Sequence, residues 1–295
     1  MLYPPLFYTE MDKKIKNIGT IQGKVLLFGG VYSNLQALKE LISIASEEGI
    51  SPENCISTGD IVGYCAQPEE TLKTFQIWGA QSIQGNVEQQ LFEGAVDCGC
   101  DFTAGSRCDG FSKKWYPYAQ SKLSKASISW MGALPDHITF EFAGKLIAVV
   151  HGAFDYISEF IFASSPTTRK EQNFLQTESD IIVAGHSGMP FHQEIDDKLW
   201  LNPGVIGMPA NDGTPRVWYV ILEEINGKLK YTHRYLTYDH QTTYELMREH
   251  HLPLEYAETL LSGLWDNMEI LPEAEKKLQG IPLTFQEKEK IHLKS

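Results

Sequence analysis

Residues Val25–Ile42 read VLLFGGVYSNLQALKELI. Four apolar residues run into Gly29-Gly30, and the stretch that follows puts Leu35, Leu38 and Ile42 on one helical face. The pattern is strand, tight turn, helix. In α/β proteins ligands and catalytic groups gather at such junctions, at the carboxyl ends of strands. Yet Gly29, Gly30, Val31 and Tyr32 bring neither a carboxylate nor an imidazole. The junction has the position of an active-site edge without the chemistry of one.

The same grammar recurs along the chain. CISTGD (55–60) is a strand ending in Gly-Asp, and PEETLKTFQIWG (68–79) is a helix opened by Pro68 and two acidic residues, as a helix N-terminus prefers. AQSIQGN (80–86) is a short strand ending in Gly-Asn. ITFEFAGKLIAVVHG (138–152) reads as a hairpin into a central strand, and SDIIVAGHSG (179–188) as another strand. KLWLNPGVIGMP (198–209) and RVWYVILEEINGKLKYTHRYL (216–236) read as antiparallel strands, the latter folded at Asn226-Gly227. Parallel βα units followed by antiparallel strands predict a two-sheet α/β sandwich. Three segments are expected: an N-terminal extension (1–22), a main domain (23–238) with a Cys-rich insertion near 93–115, and a helical tail (239–295) that packs Trp265 onto the domain.

Composition narrows the function classes. The 38 acidic residues outnumber the 25 basic ones, for a net charge of −13. That balance disfavours general nucleic-acid binding, which relies on Lys and Arg clusters against phosphates. No run approaches 18 uninterrupted apolar residues, so no membrane span is expected. The first residues place apolar groups ahead of basic ones, the wrong order for a secretory signal, and a cytoplasmic location is expected. Five cysteines, an odd count, fit reduced thiols or a metal site better than a disulfide framework.

Several strands end on a residue able to ligate a metal: Asp60, Asn86, His151 and His186, each adjoined by glycine. Taken singly, an Asp after Gly is a turn residue and a strand-end His is a hydrogen-bonded one. Together, GD…GN…HG…GH in that order, with GDIVGY (59–64) and LNPGVIGMP (201–209), resembles the calcineurin-like metallophosphoesterases, over roughly residues 23–225. Gly63, Tyr64 and Pro68 bring it nearest the small bacterial branch. The resemblance implies a four-layer αββα sandwich with a two-metal site at the strand ends.

Carried over residue by residue, the family's first motif, Asp-x-His, is here Gly30 and Tyr32. The bridging Asp is Asp60. The Gly-Asn-His motif becomes Gly85-Asn86-Val87, followed by Glu88, so the Asn stays and the His is lost. The middle His is His151, and the final Gly-His-x-His keeps His186 but has Gly188 in place of the second His. The resemblance therefore implies that one metal keeps all four ligands, Asp60, Asn86, His151 and His186. Every ligand private to the other metal is gone.

One carboxylate, one amide oxygen and two imidazoles suit a borderline divalent ion, Mn, Fe or Zn first among them. The expected function is hydrolysis of a small phosphomonoester or phosphodiester with an atypical, mononuclear site. The alternative is a catalytically weak relative that senses a ligand or partner. Tyr32 and Glu88 are the candidate catalytic groups. Cys65, Cys98, Cys100 and Cys108 are candidates for a second Zn or Fe site. Convergence of Tyr32 and cysteines on the emptied half-site would favour catalysis, whereas an apolar or water-filled gap would favour binding. Substrate identity and oligomeric state are not encoded in any motif.

Overall fold

Two sheets face each other in a computed structural model of the chain, which describes residues 13–100 and 105–285. The outermost parts of the expected extension and tail, and residues 101–104 of the Cys-rich insertion, lie outside the described residues. Among the rest, the first sheet holds β1 (Ile15–Thr20), β5 (His137–Phe142), β6 (Lys145–Val150), β7 (Ile181–Ala184), β9 (Lys198–Asn202) and β8 (Phe191–Ile195), in that spatial order. The second runs β11 (Lys228–Leu236), β10 (Val217–Ile225), β2 (Val25–Phe28), β3 (Cys55–Ser57) and β4 (Gln81–Ser82). β1 falls within the segment read from sequence as an extension; it adds an edge to the first sheet by pairing parallel to β5.

The opening VLLF explains why β2 is central. All four side chains are fully buried, as a strand covered on both faces requires. Val25 and Leu27 point into the inter-sheet core with Ile56, Phe140, Ile147, Val183, Leu199 and Val220. Leu26 and Phe28 point the other way, into the helical layer. That layer is built by α1 (Leu35–Glu47), α2 (Pro68–Trp78), α3 (Asn86–Glu93), α4 (Arg107–Lys122), α5 (Lys125–Gly132), α7 (His240–Glu249) and α8 (Leu254–Ser262). On the far face of the first sheet, α6 (Thr167–Thr177) packs Phe174 against Val150, Ile182 and Trp200. Helix, sheet, sheet, helix is the expected four-layer order. Each fully buried aliphatic side chain of the inner core contributes on the order of 2 kcal/mol.

Parallel pairing of β2 with β3, β3 with β4, and β6 with β7 sets the carboxyl ends of these strands side by side. The loops leaving them carry Gly30, Asp60, Asn86, His151 and His186. The polar tail folds back over the same edge: a short helix, α9 (Glu273–Lys276), is tied down where Ser164 donates to Glu275 through its N–H at 2.9 Å and its hydroxyl at 2.6 Å.

Candidate metal centre

Asp60 leaves β3 with a left-handed backbone, φ 58°, and His186 leaves β7 the same way at φ 56°. Such conformations are uncommon for side-chain-bearing residues and cluster at functional sites. The turn at Asp60 is held from both sides. Its N–H donates to Glu88 Oε2 at 2.8 Å, and its carbonyl accepts from the Val31 and Tyr32 amides at 2.9 and 3.1 Å. Gly85, the residue before α3, comes so close that a Cβ there would sit 2.2 Å from Asp60 Oδ1. Glycine at that position is a steric requirement of bringing the Gly-Asp and Gly-Asn loops together.

The four candidate ligands meet at one point. His151 Nε2 lies 2.9 Å from Asn86 Oδ1, 3.1 Å from His186 Nδ1 and 3.3 Å from Asp60 Oδ2. The remaining polar atoms on His151 and Asn86 are committed elsewhere. His151 Nδ1 is 2.6 Å from the Thr58 carbonyl, which fixes the proton on Nδ1 and leaves a lone pair on Nε2 in the neutral ring. Asn86 Nδ2 donates to the Cys98 carbonyl at 2.8 Å and to Cys100 Sγ at 3.2 Å, which turns its oxygen into the cluster. All four residues are buried.

A carboxylate, an amide oxygen and two imidazoles aimed at one buried point concentrate lone pairs that only a proton on a ring nitrogen or a bound cation can satisfy. The electrostatics say the same. Burial opposes charge on His151, yet the Asp60 carboxylate raises its pKa; burial opposes charge on Asp60, yet His151 lowers its pKa. Burial, then His151, pushes His186 down to about 3. The donor set fits one divalent ion with nitrogen and oxygen ligands. Among the described residues, Asp60, His151 and His186 form the single group of three or more His, Cys, Asp or Glu ligand atoms that lie within 4.8 Å of one another.

Where the resemblance leaves ligands missing, the structure places aromatic rings beside glycines. Tyr32, with φ 53°, folds its ring back over Gly30, where a Cβ would lie 2.3 Å from Tyr32 Cε1. Gly63 gives the ring room on another side, since a Cβ there would lie 2.9 Å from Tyr32 Cδ1. The Tyr32 phenol thus occupies the space a residue-30 side chain would need. Burial, then the Asp60 carboxylate, holds the Tyr32 pKa well above the usual phenol value. At Gly188, a Cβ would rest 3.6 Å from Trp265 Cη2. Trp265 is anchored there by its indole N–H to the Pro209 carbonyl at 2.7 Å.

Two sequence expectations need correction. Glu88 does not face the cleft: its carboxylate accepts the backbone N–H groups of Asp60, Gly85 and Val62, at 2.8, 2.9 and 3.2 Å. It clamps the two ligand loops, and burial, then Asp60, pushes its pKa to about 7. Nor do the four cysteines assemble. Cys98 and Cys100 Sγ are 2.9 Å apart, but Cys65 lies against the Gly207 carbonyl at 3.9 Å and Cys108 against Asn267 Nδ2 at 3.4 Å. Spacing alone could not reveal this, because Cys65 sits in the loop after β3 and Cys108 in the first turn of α4. Of the four, Cys100 and Cys108 do line the cleft over Asp60 and His186, together with Tyr32.

Sequence reading placed Trp265 on the domain but not over Gly188, and it missed Phe160. The Phe160 ring stacks on His186 with centroids 4.3 Å apart. Neither carries a motif; only the path of the chain brings them here.

The calcineurin-like phosphoesterase superfamily domain matches residues 24–227, more than half of the sequence. The chain belongs to that superfamily. An uncharacterised protein of Methanocaldococcus jannaschii is 23% identical over 264 residues, covering 82% of this chain and 99% of that protein. Among solved structures, a metallophosphoesterase from Sphaerobacter thermophilus superposes with a TM-score of 0.66 at 21% identity, over 83% of this chain and all of that one. A hypothetical protein from Pyrococcus horikoshii does so with a TM-score of 0.68 at 20% identity, over 82% and 99% of the two chains. These two share the fold.

Proposed function

We propose that the chain hydrolyses a small phosphoester with a single divalent ion held by Asp60, Asn86, His151 and His186. The observation that carries this reading is the convergence of Asp60, Asn86 and His186 on His151 Nε2, with Asn86 and His151 pre-oriented by bonds to backbone carbonyls. A bound divalent ion supplies Lewis-acid chemistry, stabilising negative charge on a phosphoryl oxygen. The protein supplies position. Glu88 and Gly85 hold the Asp60 and Asn86 loops in register. Phe160 fixes the plane of the His186 ring. Tyr32 and Trp265 give the cleft over the ligands apolar walls, which strengthens electrostatic interactions inside. Val87 stands where the family resemblance implies an acid, so protonation of the leaving group falls to solvent or to the substrate.

The aromatic filling of the second half-site favours a second reading, a ligand-binding protein that keeps the fold. One experiment separates the two. Metal content per chain is measured on wild type and His151→Ala purified without chelator or affinity metal, and p-nitrophenyl phosphoesters are then assayed with the metal found. About one ion per chain, lost in the variant along with turnover, is the expected result. One ion without turnover leaves the binding reading. No ion in either protein, after incubation with Mn, Zn and Fe, overturns the metal centre.

A further inference from the structure

The lining of the cleft restricts what charge and shape it can accept. Its floor holds Asp60 and His186, and its rim holds Asp266; no lysine or arginine is among its described lining residues. The guanidinium of Arg107, outside the lining, is taken up by carboxylates, Asp266 at 2.7 Å and Glu255 at 3.6 Å. The walls are aromatic. Tyr64 packs edge-on against both Tyr32 and Tyr256, with ring centroids 4.7 Å apart in each pair, and Phe160 and Trp265 close the opposite side.

The charge count follows from the metal-centre reading above, on which this inference rests. One divalent ion with the single carboxylate Asp60 leaves one net positive charge. A phosphomonoester brings −1.5 to −2 near neutral pH, and with no lysine or arginine beside it the excess would stay buried and unpaired. A phosphodiester brings one negative charge, which the centre matches. A diester also carries a second organic group, and the tyrosine, phenylalanine and tryptophan faces offer it apolar, stackable surface. We propose that this cleft selects a small phosphodiester monoanion bearing a planar aromatic group, and that Trp265 and Phe160 set the aromatic preference.

The test is equilibrium binding by titration calorimetry, with the metal content of the same preparation measured beside it. Diphenyl phosphate, dimethyl phosphate and phenyl phosphate are compared on the full chain. Diphenyl phosphate is expected to bind at least tenfold tighter than either of the others. Trp265→Ala, and independently Phe160→Leu should the first variant fold poorly, is expected to bring diphenyl and dimethyl phosphate within about threefold while the diester stays ahead of the monoester. One ion per chain with phenyl phosphate bound as tightly as diphenyl phosphate overturns the proposal and leaves the metal centre standing. Equal binding of diphenyl and dimethyl phosphate by wild type overturns the aromatic preference. Far less than one ion per chain overturns the metal centre and the charge count with it.

Discussion

On one side of the cleft, Asn86, His186 and Asp60 crowd within 3.3 Å of His151 Nε2; on the other, a tyrosine ring takes the space of a residue-30 side chain and an indole rests against Gly188. The two sides solve the same problem, a gap at the carboxyl ends of parallel strands, with opposite materials. The polar side gathers lone pairs suited to a cation, and Asn86 and His151 are aimed by bonds to backbone carbonyls. On the aromatic side Tyr32 fills the space that Gly30 leaves and Trp265 rests against Gly188. At residue 30 the glycine and the aromatic that covers it are one feature seen at two positions.

The largest expected effect falls on the polar side. Glu88→Ala strands three buried backbone N–H groups, each worth about 1–3 kcal/mol, for a loss on the order of 4 kcal/mol. Chemical denaturation should show it, and metal titration should show at least a 10–100-fold weaker affinity, as for other supports of metal ligands. Unchanged affinity would mean that the Asp60 and Asn86 loops hold their register without the clamp.

A smaller effect is expected on the aromatic side. Gly30→Asp restores the family's first ligand by sequence but drives a Cβ into the Tyr32 ring, and such overpacking costs about 1–3 kcal/mol. In Gly30→Asp/Tyr32→His the smaller ring removes the clash, and most of the stability should return. Thermal denaturation of the two variants decides it. Equal losses in both would show that residue 30 and the phenol do not compete for the same space.

This pair of sites also shows what a sequence can and cannot reveal. The fold was legible because VLLF and its counterparts are short apolar runs beside Gly, and the four residues that meet in space could be picked out as a set because each adjoins a glycine just past a strand. The fate of the emptied half was not. Where the Tyr32 ring goes depends on its left-handed backbone, and Trp265 arrives from the tail, far along the chain. Glu88 looked like a ligand-side carboxylate, since nothing local distinguishes an acid that faces a cleft from one that faces three amides. The cysteines misled for a related reason: proximity in sequence placed Cys98 and Cys100 together but said nothing of Cys65.

That last difference can be measured. Cys100→Ala removes one of two acceptors that orient Asn86, and metal affinity should fall a few-fold. Cys65→Ala, behind the cleft on the Gly207 carbonyl, should leave affinity unchanged and cost only core packing. A loss of metal from both variants alike would revive a thiolate site.

The smallest effect concerns a histidine outside both halves. His137 resembles His151 locally, with one ring nitrogen on a backbone carbonyl, Phe154 at 3.1 Å. Its other nitrogen, Nδ1, is buried with no hydrogen-bond partner among the described residues, so no carboxylate bonds a proton there, and the nearby Asp136 charge does not offset the burial. Burial accordingly pushes its pKa from 6.5 to about 4. The unfolded chain takes up the proton first, so this group's contribution is intact above pH 6.5 and is lost as pH falls toward 4. At pH 5.5 the loss amounts to about 1 kcal/mol. His137→Gln should flatten that part of the stability profile, read by denaturation at pH 5.5 and 7.5. An unchanged slope would place the protonation elsewhere. The contrast with His151 would then lose its basis, which is that a buried imidazole takes a cation only where a carboxylate and further lone pairs meet its free nitrogen.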